Sequence, residues 1–579
     1  MSTNPGRDRR RAAIAAPPAR CALAAWRALY LIGVLSTLAE VTLAQAAADR
    51  AAPSTAPSAS ASPPAPASGA SPGRADPTEP RFDITRFELE GATLVDPASL
   101  ERALAPHTGA GRRFGDIESA LDAVIAAYQR TGITAVQVYI PEQTLEGGVV
   151  RLKVEEMRVS RVEADGAKLA HLQRLRRAVP SLLEGRTPVD TTLAQELRLA
   201  NENPSRRMEV TFRTEADDTL TGVLRVAERG PLAGLLTLDN TGSASTGRAR
   251  LGLALQHANL LDHDIVGTAQ WQTSPGRDRQ VRVGSVGLRL PWYRAGVMVD
   301  VSASGSSVDA GTLRTLAGDY FVASRGRQTG LRVTRLLPRW GTVEPRVSIG
   351  IDRRHVDSQV TTGPGGASLV PDIVLRPLTL SHALTWATPQ RSVQAQVSLS
   401  HNLPAGGRSA PEVFAEPGLR ADANPRYTVL RADVSATWLR GPVSVLLGWS
   451  GQWTRDALVP AEQFSAGGPG SVRGIEGRLA TGDHGQRLGL EVQGPLPETT
   501  HGPGWRLGWQ VFADAAWLGR NRAQPGDKGW TRLSGIGAGL RADWQGGLGL
   551  RADAATVTDG GGVAPTRSGF LHLAATYGF

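Results

Sequence analysis

From about residue 230 to the end, the chain alternates apolar and polar residues with a period of two. This pattern limits the fold more than any other feature. In "SVQAQVSLSH", Val393, Ala395, Val397 and Leu399 alternate with Gln394, Gln396, Ser398 and Ser400. In "PVSVLLGWSGQWT", Val443, Val445, Leu447, Trp449 and Trp453 share one parity; in "QRLGLEVQG", Leu488, Leu490 and Val492 do. The final "SGFLHLAATYGF" sets Phe570 on one face against Leu571, Leu573, Ala575, Tyr577 and Phe579 on the other. Period two is the signature of a strand. A soluble sandwich or propeller alternates too, but here the second face is Gln, Ser, Thr, Arg, Asp and Gly. The first is rich in Trp, Leu and Val, which is the pattern of a membrane barrel with an apolar exterior and a polar lumen. Segments of about ten residues fit a tilted membrane strand. About 350 residues, at roughly 22 for a strand and its connection, make about sixteen strands, an even number as in single-chain bacterial barrels. Closure satisfies every backbone group in lipid, which an open sheet does not.

The N-terminus explains how such a chain reaches a membrane. Arg7, Arg9, Arg10, Arg11, Arg20 and Arg27 precede the apolar run "ALYLIGVLSTLA", and "LAQAAAD" then offers Ala44 and Ala46 as an A-x-A site. That order predicts a secretory signal peptide over 1–46, since the run is short for a membrane anchor. The only cysteine, Cys21, lies inside it, so the mature chain is expected to have no disulfide, thiolate metal site or cysteine nucleophile. Residues 47–80 are dominated by Ala, Pro and Ser and read as a linker. A "GASPG" there matches the nucleophile elbow but lacks the strand and helix that motif needs.

Between linker and barrel, one order of elements occurs twice. "RFDITRFELEGATLV" reads as a strand, and "DPASLERAL" as a helix with Asp96 at the N-cap and Pro97 at the first position. "FGDIESALDAVIAAYQRTG" places Ile117, Leu121, Val124, Ile125 and Tyr128 on one helical face, ended by Gly132. Two strands follow, the second with Val150, Leu152 and Val154 alternating. The order β-α-α-β-β then repeats up to Gly230. The fold class is therefore mainly β: two small α/β domains, 81–156 and 157–229, ahead of a barrel over 230–579.

Charge and motifs argue against catalysis. Net charge is +10, which admits nucleic acid or anionic lipid as a partner. Yet the only lysines are Lys153, Lys168 and Lys528, and the arginines are scattered, so no nucleic-acid partner is predicted. There is no G-x-x-x-x-G-K-[ST] and no H-E-x-x-H, and the "GIGAG" at 535–539 lies in an alternating strand. The expectation is no enzyme, no cofactor, no metal and no catalytic residue.

The whole arrangement resembles a two-partner secretion transporter of the ShlB/FhaC/HecB type, in the superfamily of outer-membrane assembly and translocation barrels. The α/β repeats look like its polypeptide-transport-associated (POTRA) domains. "GITAVQVYIPEQTLEGGVVRLKVEE" (132–156) and "NENPSRRMEV" (201–210) look like parts of the two POTRA domains, and "LDNTGSASTGRARLGLALQHANLLDHD" (238–264) like the first barrel hairpin. "SVRGIEG" resembles the family's V-R-G-aromatic motif at the tip of a long loop, here 455–486, and "VFADAAW" (511–517) its F-x-D-x-G motif on a barrel strand. Two positions depart from the family: Ile475 stands where an aromatic is usual, and Ala516 where glycine is. No plug helix is offered by residues 47–80.

Parity tests the resemblance independently. In "WRLGWQVFADAAW", Leu507, Trp509, Val511 and Trp517 share the lipid-like parity, while Arg506, Gln510, Phe512 and Asp514 fall on the other. Asp514 therefore points into the lumen; outward, its carboxylate would meet hydrocarbon at a cost of several kcal/mol. The resemblance implies that the loop arginine folds inward and pairs with this aspartate, making Val472, Arg473, Gly474, Ile475, Phe512 and Asp514 the site. The alternative is a solvated Arg473, with Asp514 paired to another lumen arginine.

The function implied is secretion of one large, unfolded partner through the barrel, that partner being a β-helical hemolysin or adhesin. Outer-membrane lipid, periplasmic chaperones and the barrel-assembly machinery are further expected partners. Val150, Leu152 and Val154, and Val223, Leu224 and Val226, lie on candidate strands for client addition, though their parity also suits a core. An assembly factor that inserts other barrels is the alternative function, and a passive porin a more remote one.

Overall fold

The computed structural model describes residues 80–579 apart from 145–146, 167–171, 216–218, 279, 316–317, 362–367, 478 and 498–503. The signal peptide, the linker short of Pro80 and "GASPG" lie outside the described residues.

The first α/β unit is built on one amphipathic helix. Phe114–Arg130 buries Ile117, Ala120, Val124, Ala127 and Tyr128 against Val150, Leu152 and Val154. The second helix, Pro97–Leu104, has Asp96 at its N-cap and proline at its start. The sheet runs Arg86–Glu90, Val149–Glu156, Val136–Tyr139. "RFDITRFELE" is two strands rather than one, broken at Thr85, and the first piece, Phe82–Ile84, pairs instead with an unanticipated strand, Gly109–Arg112. The Asp83 carboxylate accepts the Gly111 N–H at 2.8 Å, a side-chain contact that no periodicity announces.

The second unit has helices Leu172–Ala178 and Asp190–Ala200 over the sheet Arg158–Asp165, Thr219–Glu228, Arg206–Thr214. Val150, Leu152 and Val154, and Val223, Leu224 and Val226, lie on the central strands with their side chains buried, as their parity suits, so any edge for an added strand belongs to the outer strands. The outer strands of the two sheets are Arg86–Glu90 and Val136–Tyr139, and Arg158–Asp165 and Arg206–Thr214.

The barrel is closed and antiparallel, with sixteen strands when Ile373–Leu375 and Pro377–Thr388 are counted as one strand interrupted at Arg376. The last strand, Gly569–Gly578, closes on the first, Leu232–Asp239, from Ala574↔Asp239 to Gly578↔Leu235. Phe579 and Gly234 exchange backbone hydrogen bonds at 2.9 and 3.0 Å below that ladder. The parity read from sequence is the outward one: Val397, Leu399, Leu488, Leu490, Val511, Leu571 and Leu573 are exposed on the barrel exterior. Polar Gln510, Asp514, Asp553 and His572 are buried within. Strand length departs from the expected ten. Val297–Thr315, Gly318–Leu336 and Val343–Thr361 have 19 residues each. In their middle stretches the outward parity of Val301 and Leu331 passes to Ala303, Gly305 and Ser307 and to Thr329, Arg327 and Arg325, so the apolar face ends while the ladder continues.

The second unit is seated on three turns of the barrel. Arg206 binds Asp264 with both arms, at 2.8 and 2.9 Å, and donates to the Tyr293 hydroxyl at 2.7 Å. Asn203 donates to the Ala258 carbonyl at 2.7 Å, and Arg198 to the Leu337 and Pro345 carbonyls at 2.8 and 3.3 Å. Leu199 packs with Met298 and Leu336. The turn received by Arg206 holds Leu261, Asp262 and Asp264 at φ of 54°, 59° and 60°, a left-handed run of non-glycine residues that needs outside support. The other end of helix Asp190–Ala200 meets the first unit, where the Asp190 N–H donates to the Gly132 carbonyl at 2.7 Å.

Candidate functional site

The strand Val443–Trp453 does not return directly. Residues 454–483 form a loop that enters the barrel before the next strand, His484–Pro495, begins. The sequence had placed its end at 486; the ladder resumes earlier because Gly485 and Gln486 pair with Gln452 and Gly451. Midway, a short hairpin, Phe464–Ala466 with Ala480–Gly482, carries "GGPGSVRGIEG" to its tip.

Arg473 is at that tip and only 6% exposed. Its Nε donates to Asp514 Oδ2 at 2.7 Å, its Nη2 to Asp514 Oδ1 at 2.9 Å, and its own backbone N–H to Oδ2 at 3.1 Å. Asp514 faces inward because it shares the parity of Gln510 and Phe512 on Trp505–Gly519. The guanidinium lies over the Phe512 ring, its carbon 3.4 Å from the centroid, in the geometry of a cation–π contact. Gly474 adopts φ 93°, which lets the chain turn back and aim its N–H at His572 Nε2, 3.3 Å away. Val472 and Ile475 are buried in one cluster with Ala516, Leu518, Leu533 and Val557. The two departures from the family motif, Ile475 and Ala516, thus belong to the same packed cluster. All six site residues named from sequence meet in one place.

Besides His572, several charged or polar neighbours and a row of glycines join the six residues read from sequence. Arg473 Nη1 donates to Glu491 at 2.6 Å and stands 4.0 Å from Asp553. Arg551 bridges the same two carboxylates, at 3.3 Å to Glu491 and 2.8 Å to Asp553, and Gln510 also binds Asp553. Three carboxylates thus face Arg473 and Arg551, and a third guanidinium, Arg487, on the same parity of its strand as Glu491, donates to the Gly470 carbonyl of the tip at 2.9 Å. Gly535, Gly537 and Gly539 form the floor. A Cβ at 535 would strike the Arg473 carbonyl, at 537 the Phe512 ring, and at 539 the Asp553 carboxylate. The G-x-G-x-G alternation was the available signal: three glycines of one parity on a strand mark close approach by something else. Glu491 and Asp553 were readable as inward by parity, but the register that sets them level with Asp514 was not.

Among the described residues, no group of three or more His, Cys, Asp or Glu side chains is placed to hold a metal ion.

The model of the haemolysin secretion/activation protein family ShlB/FhaC/HecB matches residues 223–542, more than half of the chain. This chain belongs to that family. The ShlB-type POTRA domain matches residues 82–156. The outer membrane transporter CdiB of Escherichia coli O6:K15:H31 (strain 536 / UPEC) is 25% identical over 496 residues, covering 80% of this chain and 76% of the relative. CdiB of Dickeya dadantii is 22% identical over 423 residues, covering 70% and 71%. Among solved structures, CdiB from Escherichia coli superposes with a TM-score of 0.76 at 20% identity, over 98% of this chain and all of that one. CdiB from Acinetobacter baumannii gives 0.71 at 16%, over 96% and 99%; at such identities the likeness is one of fold. As a member of this family, the chain is a two-partner secretion translocator of the outer membrane, with its POTRA portion in the periplasm and a secreted protein as its partner.

Proposed function

We propose that the second α/β unit, 157–229, is also a POTRA domain, and that the two together capture the partner as an unfolded chain. The outer strands Arg86–Glu90, Val136–Tyr139 and Arg158–Asp165 suit backbone pairing with extended polypeptide, which makes little demand on sequence. The chain then passes through the barrel when the loop tip leaves the wall. In this reading Val472, Arg473, Gly474, Ile475, Phe512 and Asp514 form a latch that keeps the lumen closed between rounds. The partner is a large β-helical protein that folds on the outer surface, and its folding supplies the drive, so the transporter performs no chemical step. Periplasmic chaperones would keep the partner extended, and the barrel-assembly machinery would insert the barrel into lipid.

The observation that carries this reading is the buried two-point contact of Arg473 with Asp514 inside a closed barrel. Such a pair is specific in geometry and breaks as a unit. A charge exchange tests it. Arg473→Asp and Asp514→Arg are each expected to abolish secretion of the partner, and the double exchange to restore part of it. A double variant no better than either single one would overturn the latch.

A further inference from the structure

The loop is also gripped well away from Arg473, and with the opposite polarity. Glu462, 2% exposed, has both carboxylate oxygens occupied: Arg354 donates to one at 2.7 Å and Arg431 to the other at 2.9 Å. Gln452 holds the Glu462 carbonyl and the Asp483 carbonyl through one amide nitrogen, at 2.9 Å each, and accepts from Arg431 at 2.8 Å. Arg354 turns its other arm to Asp352 at 2.8 Å. Two guanidinia and two carboxylates cancel. Around them lie Phe414, Tyr427, Leu458 and Val459, all nearly inaccessible to solvent. Asp483, at the loop's far end, accepts the N–H groups of Leu458 and Asn521 at 2.9 and 2.7 Å and pairs with Arg420.

The tip is held differently. Besides Arg473 its polar contacts are lighter: Arg487 donates to the Gly470 carbonyl at 2.9 Å, and Glu476 stands 4.0 Å from Arg248, whose side chain is 61% exposed. Arg551 stays on the wall to partner Glu491 and Asp553 when Arg473 leaves, and at 41% exposure it is within reach of water. The floor beneath the Arg473 backbone is glycine. The neck is narrow: Gly467, at φ 119°, lies against the Gly477 carbonyl where no Cβ fits.

We propose that Glu462 is a fixed anchor. The root, Thr454–Ala466 with Ala480–Asp483, stays clamped to Arg354 and Arg431 throughout transport, and only the tip, Gly467–Gly477, moves. The anchor positions the tip so that it returns to Asp514 after each round. This rests on the latch reading above, and the test separates the two.

The mature chain is expected to contain no cysteine, so engineered pairs stand alone. Ala423 and Ala457 are bridge partners, close enough for a disulfide, and tie the root as Ala423→Cys with Ala457→Cys. Ile475→Cys with Val557→Cys, from one packed cluster, ties the tip. The full chain is recorded as single channels in planar lipid bilayers, oxidised and then reduced. The root pair is expected to leave openings unchanged, and the tip pair to abolish them until reduction. Glu462→Gln is expected to raise the open fraction several-fold with the folded barrel intact by heat-modifiable migration. Oxidising the root pair in that background should bring the openings back down. If the oxidised root pair blocks openings in the otherwise native chain, the root moves and the anchor is overturned while the latch stands. If Glu462→Gln changes nothing, the anchor also falls. If the oxidised tip pair has no effect, latch and anchor fall together.

Discussion

The guanidinium carbon of Arg473 lies 3.4 Å from the centroid of the Phe512 ring, on the same strand that supplies Asp514 two residues on. One arginine is thus bound edge-on by a carboxylate and face-on by an aromatic ring. Lysine reproduces neither the planar fork nor the stacking.

The ring and the carboxylate can be separated by substitution. Phe512→Leu removes the cation–π contact, worth about 2 kcal/mol when desolvated, and keeps the ion pair. The expected result is more frequent channel opening than in the native chain and less frequent than in Arg473→Ala. Arg473→Lys is expected to fall between the same limits. Open fractions from single-channel records decide the order.

The glycine floor can be tested without touching any charge. Gly535→Ala places a Cβ against the Arg473 carbonyl and is expected to reproduce the opening phenotype of Arg473→Ala. Gly448→Ala, on another barrel strand with open space at its Cβ, is the control and should leave conductance unchanged.

The seat of the second unit rests on Arg206. Arg206→Ala leaves the Asp264 carboxylate partly buried beside Tyr293, and breaking a buried pair in this way costs about 3–5 kcal/mol. Expected is faster amide exchange across 258–264, where three left-handed residues lose their support, with exchange in the far barrel strands unaltered. Mass-spectrometric hydrogen exchange on the full chain reads this directly.

The first unit carries a pH term. Burial pushes the Glu156 carboxyl up, but hydrogen bonds from Thr93, Tyr128 and the Leu94 N–H outweigh it and hold the group below its ordinary value. The unfolded chain therefore binds this proton more readily than the folded one. The stabilisation is complete above the ordinary glutamate value and is lost as pH falls through the lower, folded one. Glu156→Gln is expected to weaken the first unit near neutral pH and to flatten its acid dependence, measured by amide exchange of 80–156 from about pH 7 down to about pH 3, which spans the ordinary glutamate value and the region below it.

Parity made most of the barrel legible, because the lipid face tolerates so few polar residues that Val397, Leu399, Leu488 and Leu571 announce their side. It also fixed Asp514 as inward. Parity alone says nothing about height, so Glu491 and Asp553 could be assigned to the lumen but not to Arg473. The clamp on Glu462 was illegible for the same reason: Arg354 and Arg431 are inward residues of strands more than seventy positions apart, brought level only by the shear of the barrel. The three 19-residue strands exceed the expected ten because backbone pairing carries them on beyond the point where their apolar face ends, and pairing leaves no periodic signal. In the first unit, the break at Thr85 and the strand at 109–112 depend on pairing between segments, which local pattern does not encode.

The row Gly535, Gly537, Gly539 has a consequence beyond seating the tip. Once the tip leaves, Gly535 presents bare backbone to the lumen, while the Phe512 ring stays over Gly537 and the Asp553 carboxylate against Gly539. The vacated wall would then be backbone, one flat ring and fixed charge on Glu491, Asp514 and Asp553. A polypeptide sliding past would find no side chain projecting from Gly535 to catch on, so the same missing Cβ that lets the tip lie flat would ease passage at that point.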